Sequence, residues 1–217
     1  MAQCRASNGS EQSVTRDSTP YRIGLTGNIA TGKSTVGRML ASLGAELIDA
    51  DKVAHAVMAS AGSAYAGVVG AFGPDIVGDD GEIDRRALGR IVFADPEALK
   101  RLEALVHPAV ITEVNQRIAR STAPAVVVEA IKLLESGMAE SYDAIWVTTC
   151  SEETQMERLM ETRGLSREHA LARLGAQAPQ AEKVLRADVV VDTEGTLAAT
   201  RAQVGAAWAD LQRHLGQ

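Results

Sequence analysis

The sequence predicts an α/β protein: a five-stranded parallel sheet with helices on both faces. Three observations carry this. Short apolar runs alternate along the chain with longer segments of helical periodicity, the pattern of a parallel sheet covered on both sides. Apolar residues make up 46% of the 217 residues while aromatics are only 3%, so a real core exists and it is mostly aliphatic. Between the first apolar run and the first helical pattern sits Gly27-Asn28-Ile29-Ala30-Thr31-Gly32-Lys33-Ser34-Thr35. This is G-x-x-x-x-G-K-S, a loop that wraps phosphate.

The spacing in that loop has a physical reason. Gly27 and Gly32 permit backbone angles that turn amide N–H groups toward one point. Lys33 then reaches the outer phosphates, and the Ser34 hydroxyl is placed to ligate Mg²⁺. The context agrees. Tyr21-Arg22-Ile23-Gly24-Leu25-Thr26 reads as a buried strand entering the loop. Val36, Met39, Leu40 and Leu43 recur at helical spacing after it, with Gly44 as the residue past the helix end.

Ala45-Glu46-Leu47-Ile48 predicts a second strand, ending in Asp49-Ala50-Asp51. In a parallel sheet the strand C-termini face the ligand crevice, so these carboxylates belong near the loop. One Asp is enough to cap the helix that follows, and the pair points to chemistry as well. From Ala61 to Arg120 the chain reads as helices and turns only. Tyr65, Val68, Val69 and Phe72 share one helical face, and Ile83-Asp84-Arg85-Arg86-Ala87-Leu88 opens another helix ending near Phe93. Asp95-Pro96-Glu97 is a helix start with Pro in the first turn. His107-Pro108 is expected to break or kink that helix before it resumes over 109–119. The block is too long for an ordinary crossover, so it is expected to be a helical insertion that binds substrate.

The second half returns to alternation. Strands are expected at Ala125-Val126-Val127-Val128-Glu129-Ala130-Ile131, at Ala144 to Thr149 and at Ala187 to Asp192. Ser151 caps a helix carrying Arg158, Ser166 opens another, Pro179 starts a short third, and a closing helix carries Leu197, Val204, Trp208 and Leu211.

Composition narrows the function. With 22 Lys plus Arg against 28 Asp plus Glu, the net charge is −6, which argues against broad nucleic-acid binding. Cys4 and Cys150 are far apart with no metal-ligand spacing, and Cys150 is expected to be a buried thiol in a reducing cytoplasm. No run reaches the length of a membrane span, and the first 20 residues read as a disordered polar extension. A monomer is expected, with higher assembly open.

Several separate stretches then point one way. Ile23-Gly24-Leu25-Thr26-Gly27, Ile48-Asp49-Ala50-Asp51, Asp84-Arg85-Arg86-Ala87-Leu88, Leu105-Val106-His107-Pro108, Glu129 with Leu134-Glu135, and Ala187-Asp188-Val189-Val190 together resemble the dephospho-coenzyme A kinases, P-loop enzymes that complete coenzyme A. The resemblance covers residues 21 to about 212. It implies ATP and Mg²⁺ as cofactors and transfer of the γ-phosphoryl to the 3′-hydroxyl of dephospho-coenzyme A. It implies that residues 27–35 hold ATP, that Asp51 is the base for the acceptor hydroxyl, and that Arg158 is a lid arginine facing the transferred group. It divides the chain into a core (21–54, 120–150, 187–217), a coenzyme-binding insertion (55–119) and a lid (151–186). The sequence departs from the family pattern in three places. Ile131-Lys132 stands where Pro is usual, Thr162 where a second lid Arg is usual, and Thr193 where Asn is usual. Of the four histidines, His55 reads as a helix-surface residue and His107 as a structural residue at the kink, while Glu46, Glu82 and Glu103 read as solvated charges.

Two alternatives stand beside this. Another small-molecule or nucleoside monophosphate kinase would share the loop and lid but differ in the insertion. A GTPase-like switch would need Asn-Lys-x-Asp after the later strands and Asp-x-x-Gly after the third, and neither is present.

Overall fold

The computed structural model describes residues 19–135 and 138–216; the expected N-terminal extension lies almost wholly outside the described residues. Five strands form one parallel sheet: β1 (Tyr21–Thr26), β2 (Glu46–Asp49), β3 (Ala125–Glu129), β4 (Ala144–Thr149) and β5 (Val189–Asp192). Their spatial order is β2-β3-β1-β4-β5, and every pairing is parallel. The chain builds one half of the sheet on one side of β1 and then crosses to the other. The loop after β1 therefore sits at the switch point, where open α/β sheets bind ligands.

Burial follows this order. The inner strand β3 is buried throughout, which is why its run is continuously apolar up to Glu129. The edge strands β2 and β5 are only partly buried. Alternation then divides β3 between two cores. Ala125 and Val127 join α1 (Lys33–Ser42) and α9 (Leu197–Leu215), through Val36, Leu40, Val204 and Trp208. Val126 and Val128 face the helical block: α2 (Ala50–Val57), α3 (Tyr65–Phe72), α4 (Arg85–Ala94) and α5 (Pro96–Arg120). That block thus shares its core with one face of the sheet.

The remaining helices α6 (Glu152–Arg163), α7 (Arg167–Gly175) and α8 (Gln180–Val184) lie between β4 and β5. Ser151 and Ser166 cap α6 and α7 by accepting from Thr154 N and His169 N, as their placement predicts. Among the described residues no helix is long and apolar enough to cross a membrane.

Several expectations change. Pro108 does not break α5, which runs unbroken through it. The reason is visible in burial. Val106, Val110, Val114 and Ile118 form a buried stripe spanning the proline, while Pro108 and Ala104 lie on the exposed side. The hydrogen bond that Pro108 cannot make to Ala104 is therefore lost only where water reaches the carbonyl. Leu43 and Leu197, on helical patterns in the sequence, are 40% and 68% exposed, since each lies at a helix end. Glu82 and Glu103 are not simply solvated. Glu82 binds the Ser60 amide and hydroxyl, and Glu103 pairs with Lys132 at 2.7 Å. Cys150 is a free thiol but only half-buried, because it lies just past the end of β4.

Candidate active site

The loop from Gly27 to Thr35 joins β1 to α1 with the backbone its glycines imply. Gly27 has φ 148° and Gly32 φ 84°; Ala30, at φ 61°, is the one non-glycine residue with positive φ among the described residues. Gly27 also has no room for a side chain. A Cβ there would lie 2.5 Å from Thr148 Oγ1 and 2.6 Å from the Thr148 carbonyl. Gly27→Ala is therefore expected to cost roughly 1–3 kcal/mol in strain and to abolish most activity, because the Thr148 backbone must give way. A denaturant melt and an assay on the folded fraction check this.

Lys33 is buried and donates to the carbonyls of Gly27 (2.9 Å) and Asn28 (3.0 Å). Burial pulls its pKa down to about 8; the charges of Glu129 and Asp51 resist this, while Lys183 and Arg163 add to it. Ser34, at the start of α1, donates its hydroxyl to Glu129 Oε1 at 2.6 Å. Glu129 is 8% exposed. Burial pushes its pKa up, opposed by the Ser34 bond and the Lys33 charge, and reinforced by Asp49 and Asp51.

The aspartate pair divides as the chain changes conformation. Asp49 ends β2 opposite Glu129 and caps α2, accepting from Lys52 N at 3.1 Å and pairing with Lys52 Nζ at 3.3 Å. Asp51 lies in the first turn of α2, where the helix N-terminus favours its charge. Its side chain lines a hollow of ≈ 250 Å³ together with Lys33, Ser34, Glu129, Arg158, Thr162 and Arg163.

Arg158 sits between that hollow and a second one. Its guanidinium donates to Ala30 O (3.2 Å), to Thr193 Oγ1 (3.1 Å) and to Thr193 O (2.5 Å). The second hollow is lined by Gly32, Thr35, Arg158, Thr193, Gly195 and Thr200. Thr193 is buried and donates its hydroxyl to Thr31 O (3.0 Å) or Thr149 O (3.2 Å), tying the end of β5 to the loop. A third hollow opens on the other side, lined among others by Asn28, Glu103, His107, Lys132, Gln177 and Lys183. His107 thus borders a cavity on a continuous helix, and His55 is exposed.

Sequence reasoning did not single out Glu129 as a site residue. Its signal was present: a carboxylate closing an otherwise apolar inner strand, at the same sheet edge as the loop. Arg163, at the end of α6, reaches the phosphate hollow beside Thr162, where the family pattern would have put an arginine at 162.

Mg²⁺ suits this set. It takes oxygen ligands and usually keeps waters and substrate phosphates, needing only one or two protein oxygens. The Ser34 hydroxyl and the Asp51 and Glu129 carboxylates line the same hollow. No cluster of three His, Cys, Asp or Glu suited to a metal occurs among the described residues.

A phosphate-binding loop at the switch point of a five-stranded parallel sheet, with its lysine beside carboxylates and arginines, defines a P-loop kinase. The dephospho-CoA kinase family model matches residues 21–199. Dephospho-CoA kinase of Symbiobacterium thermophilum is 48% identical over 189 residues, covering 86% of this chain and 79% of that protein. The Geobacter metallireducens enzyme of the same name is also 48% identical over 189 residues, covering 86% and 94%. A crystal structure of a Thermus thermophilus protein superposes with a TM-score of 0.79 at 38% identity, covering 89% of this chain and 99% of that one. The chain belongs to the dephospho-CoA kinase family.

Proposed function

We propose that this chain transfers the γ-phosphoryl of ATP to the 3′-hydroxyl of dephospho-coenzyme A, giving coenzyme A and ADP, the last step of coenzyme A biosynthesis. The observation that carries the reading is the single hollow shared by Lys33, Ser34, Asp51, Glu129, Arg158 and Arg163. Phosphoryl transfer needs positioning and charge neutralisation rather than covalent help. Residues 27–35 hold the ATP phosphates, with Lys33 neutralising charge between the β- and γ-phosphates. Thr193 and its neighbours border the nucleotide's base. Ser34, oriented by Glu129, would hold Mg²⁺, and the ion would offset phosphate charge.

Asp51 accepts the hydrogen bond of the acceptor hydroxyl and takes its proton as the bond to phosphorus forms. Arg158 and Arg163 supply forked donors to the phosphoryl oxygens, a geometry that lysine lacks. The Arg158 bonds to Thr193 and Ala30 use only part of its five donors, which leaves others for phosphate while the side chain stays tied to the loop. Residues 55–119 bind the coenzyme, and 151–186 act as the lid that keeps water from the γ-phosphate. The reading places the enzyme in the cytoplasm.

Product analysis after mixing the protein with Mg-ATP and dephospho-coenzyme A tests the reading. Coenzyme A is the expected product, and adenosine, which lacks the remote groups, should be a poor acceptor because its binding energy is missing from the transition state. Equal efficiency with adenosine would deprive the helical block of its assigned role.

A further inference from the structure

Lys33 is aimed by two carbonyls, those of Gly27 and Asn28, at 2.9 and 3.0 Å. They belong to consecutive peptide units. The far end of each unit is also held, and both partners come from one segment distant in the chain. The Asn28 N–H, in the same unit as the Gly27 carbonyl, donates to Gln180 Oε1 at 2.9 Å. The Ile29 N–H, in the same unit as the Asn28 carbonyl, donates to Gln177 Oε1 at 2.7 Å. The segment that carries the two glutamines is itself fastened. Gln180 Nε2 donates to Thr148 O at 2.8 Å, and Asn28 Nδ2 donates to Ala178 O at 3.0 Å.

A peptide unit is rigid and planar, so holding its N–H sets the direction of its C=O. A bond donated from the N–H end also polarises the unit and strengthens the carbonyl as an acceptor. Ile29 adds a mechanical link, since its side chain packs with Leu159 of α6 and Ala170 of α7.

We propose that Gln177 and Gln180 are positioning residues for phosphoryl transfer, acting through the two peptide units to aim the Lys33 ammonium at the phosphates. The proposal rests on the reading of residues 27–35 as the ATP site. It makes the α7–α8 segment a part of the phosphate-binding loop's geometry as well as of the lid. A brace that merely fastened that segment to the core would leave Lys33 unaffected.

Gln177→Met and Gln180→Met keep side-chain length and remove the acceptor. Each is expected to lower kcat about tenfold, and both together about 100-fold, while KM for the acceptor changes by less than about threefold. Gln177→Glu restores an acceptor oxygen at the same reach and is expected to return kcat to within about threefold of native. Binding of a non-hydrolysable ATP analogue supplies a second readout. Gln177→Met should weaken it several-fold in the native background and not further in a Lys33→Ala background, because the effect passes through that lysine. Thermal melts confirm folding, and the single variants carry the comparison if the double variant unfolds. Folded Met variants with native kcat, losses confined to KM, or equal losses of analogue affinity in both backgrounds would overturn the proposal. Failure of the unmodified protein to phosphorylate dephospho-coenzyme A would count against the assigned acceptor, while the binding cycle would still decide the role of the glutamines.

Discussion

Lys33→Ala is expected to lower kcat/KM by roughly 10²–10³-fold, the range for removing one preorganised donor from a developing charge, and to leave the fold no less stable by more than a small margin. Both halves follow from burial. The ammonium is held beside Glu129 and Asp51 in a place that disfavours its charge, and its pKa falls from 10.5 to about 8. A depression of that size corresponds to about 3 kcal/mol held against folding at neutral pH. Alanine removes this penalty, and in exchange loses two bonds to carbonyls and some packing. Between pH 8 and 10.5 the unfolded chain keeps a proton that the folded chain has released at Lys33. Stability of the nucleotide-free protein therefore rises with pH through this group across that window, and the rise should vanish in the variant. Urea melts at several pH values, beside a turnover assay, check both halves. A folded variant with near-native turnover would refute the assignment of the loop.

Asp51→Asn is expected to lower kcat by roughly 10²–10⁴-fold, the contribution of a general base, with ATP and acceptor affinities changing far less. Asparagine keeps the size and the hydrogen-bonding capacity and removes only the charge and the ability to take a proton. Asp49→Asn is the comparison. Asp49 is already committed to capping α2 and pairing with Lys52, so its loss should show mainly in stability. An asparagine still caps well, which keeps even that effect modest. Kinetics with binding measured separately decide between them. If Asp49→Asn cripples turnover while Asp51→Asn does not, the two roles are reversed.

What was legible in the sequence is what short-range physics writes. The loop spacing, the caps at Ser151, Ser166 and Asp95, and the buried run of β3 depend on neighbours a few residues apart. The edges were less clear. β2 begins at Glu46 and β5 at Val189, each later than its apolar run, because an edge strand has one open side and a weaker apolar signature. At Pro108 local chemistry argues for a break or a kink, and the break is absent because the stripe that holds the helix together is a property of the packed molecule. The least legible site residues are those joined across long separations. Ser34 and Glu129 are 95 residues apart, and Asn28 and Gln180 are 152 apart. Their meeting is set by parallel register and by where the chain crosses the sheet, which no local pattern records. Glu129 still left a trace as a charge inside an apolar strand; Gln177 and Gln180 left none, since exposed and buried glutamines look alike in a sequence.

The unbroken α5 has a consequence for motion. At 25 residues, and about 1.5 Å of rise per residue, it is a strut that begins beside α4 and leads into β3. Its buried stripe packs against α2, α3 and α4, in one core with Val126 and Val128 of β3. A break at Pro108 would have let the helical block swing like a jaw; a continuous helix joins its two halves. Under the proposed function, the helical wall that meets the acceptor is expected to change shape less on binding than the α6–α8 side. Discrimination among acceptors would then rest on a preformed template rather than on closure around whatever enters.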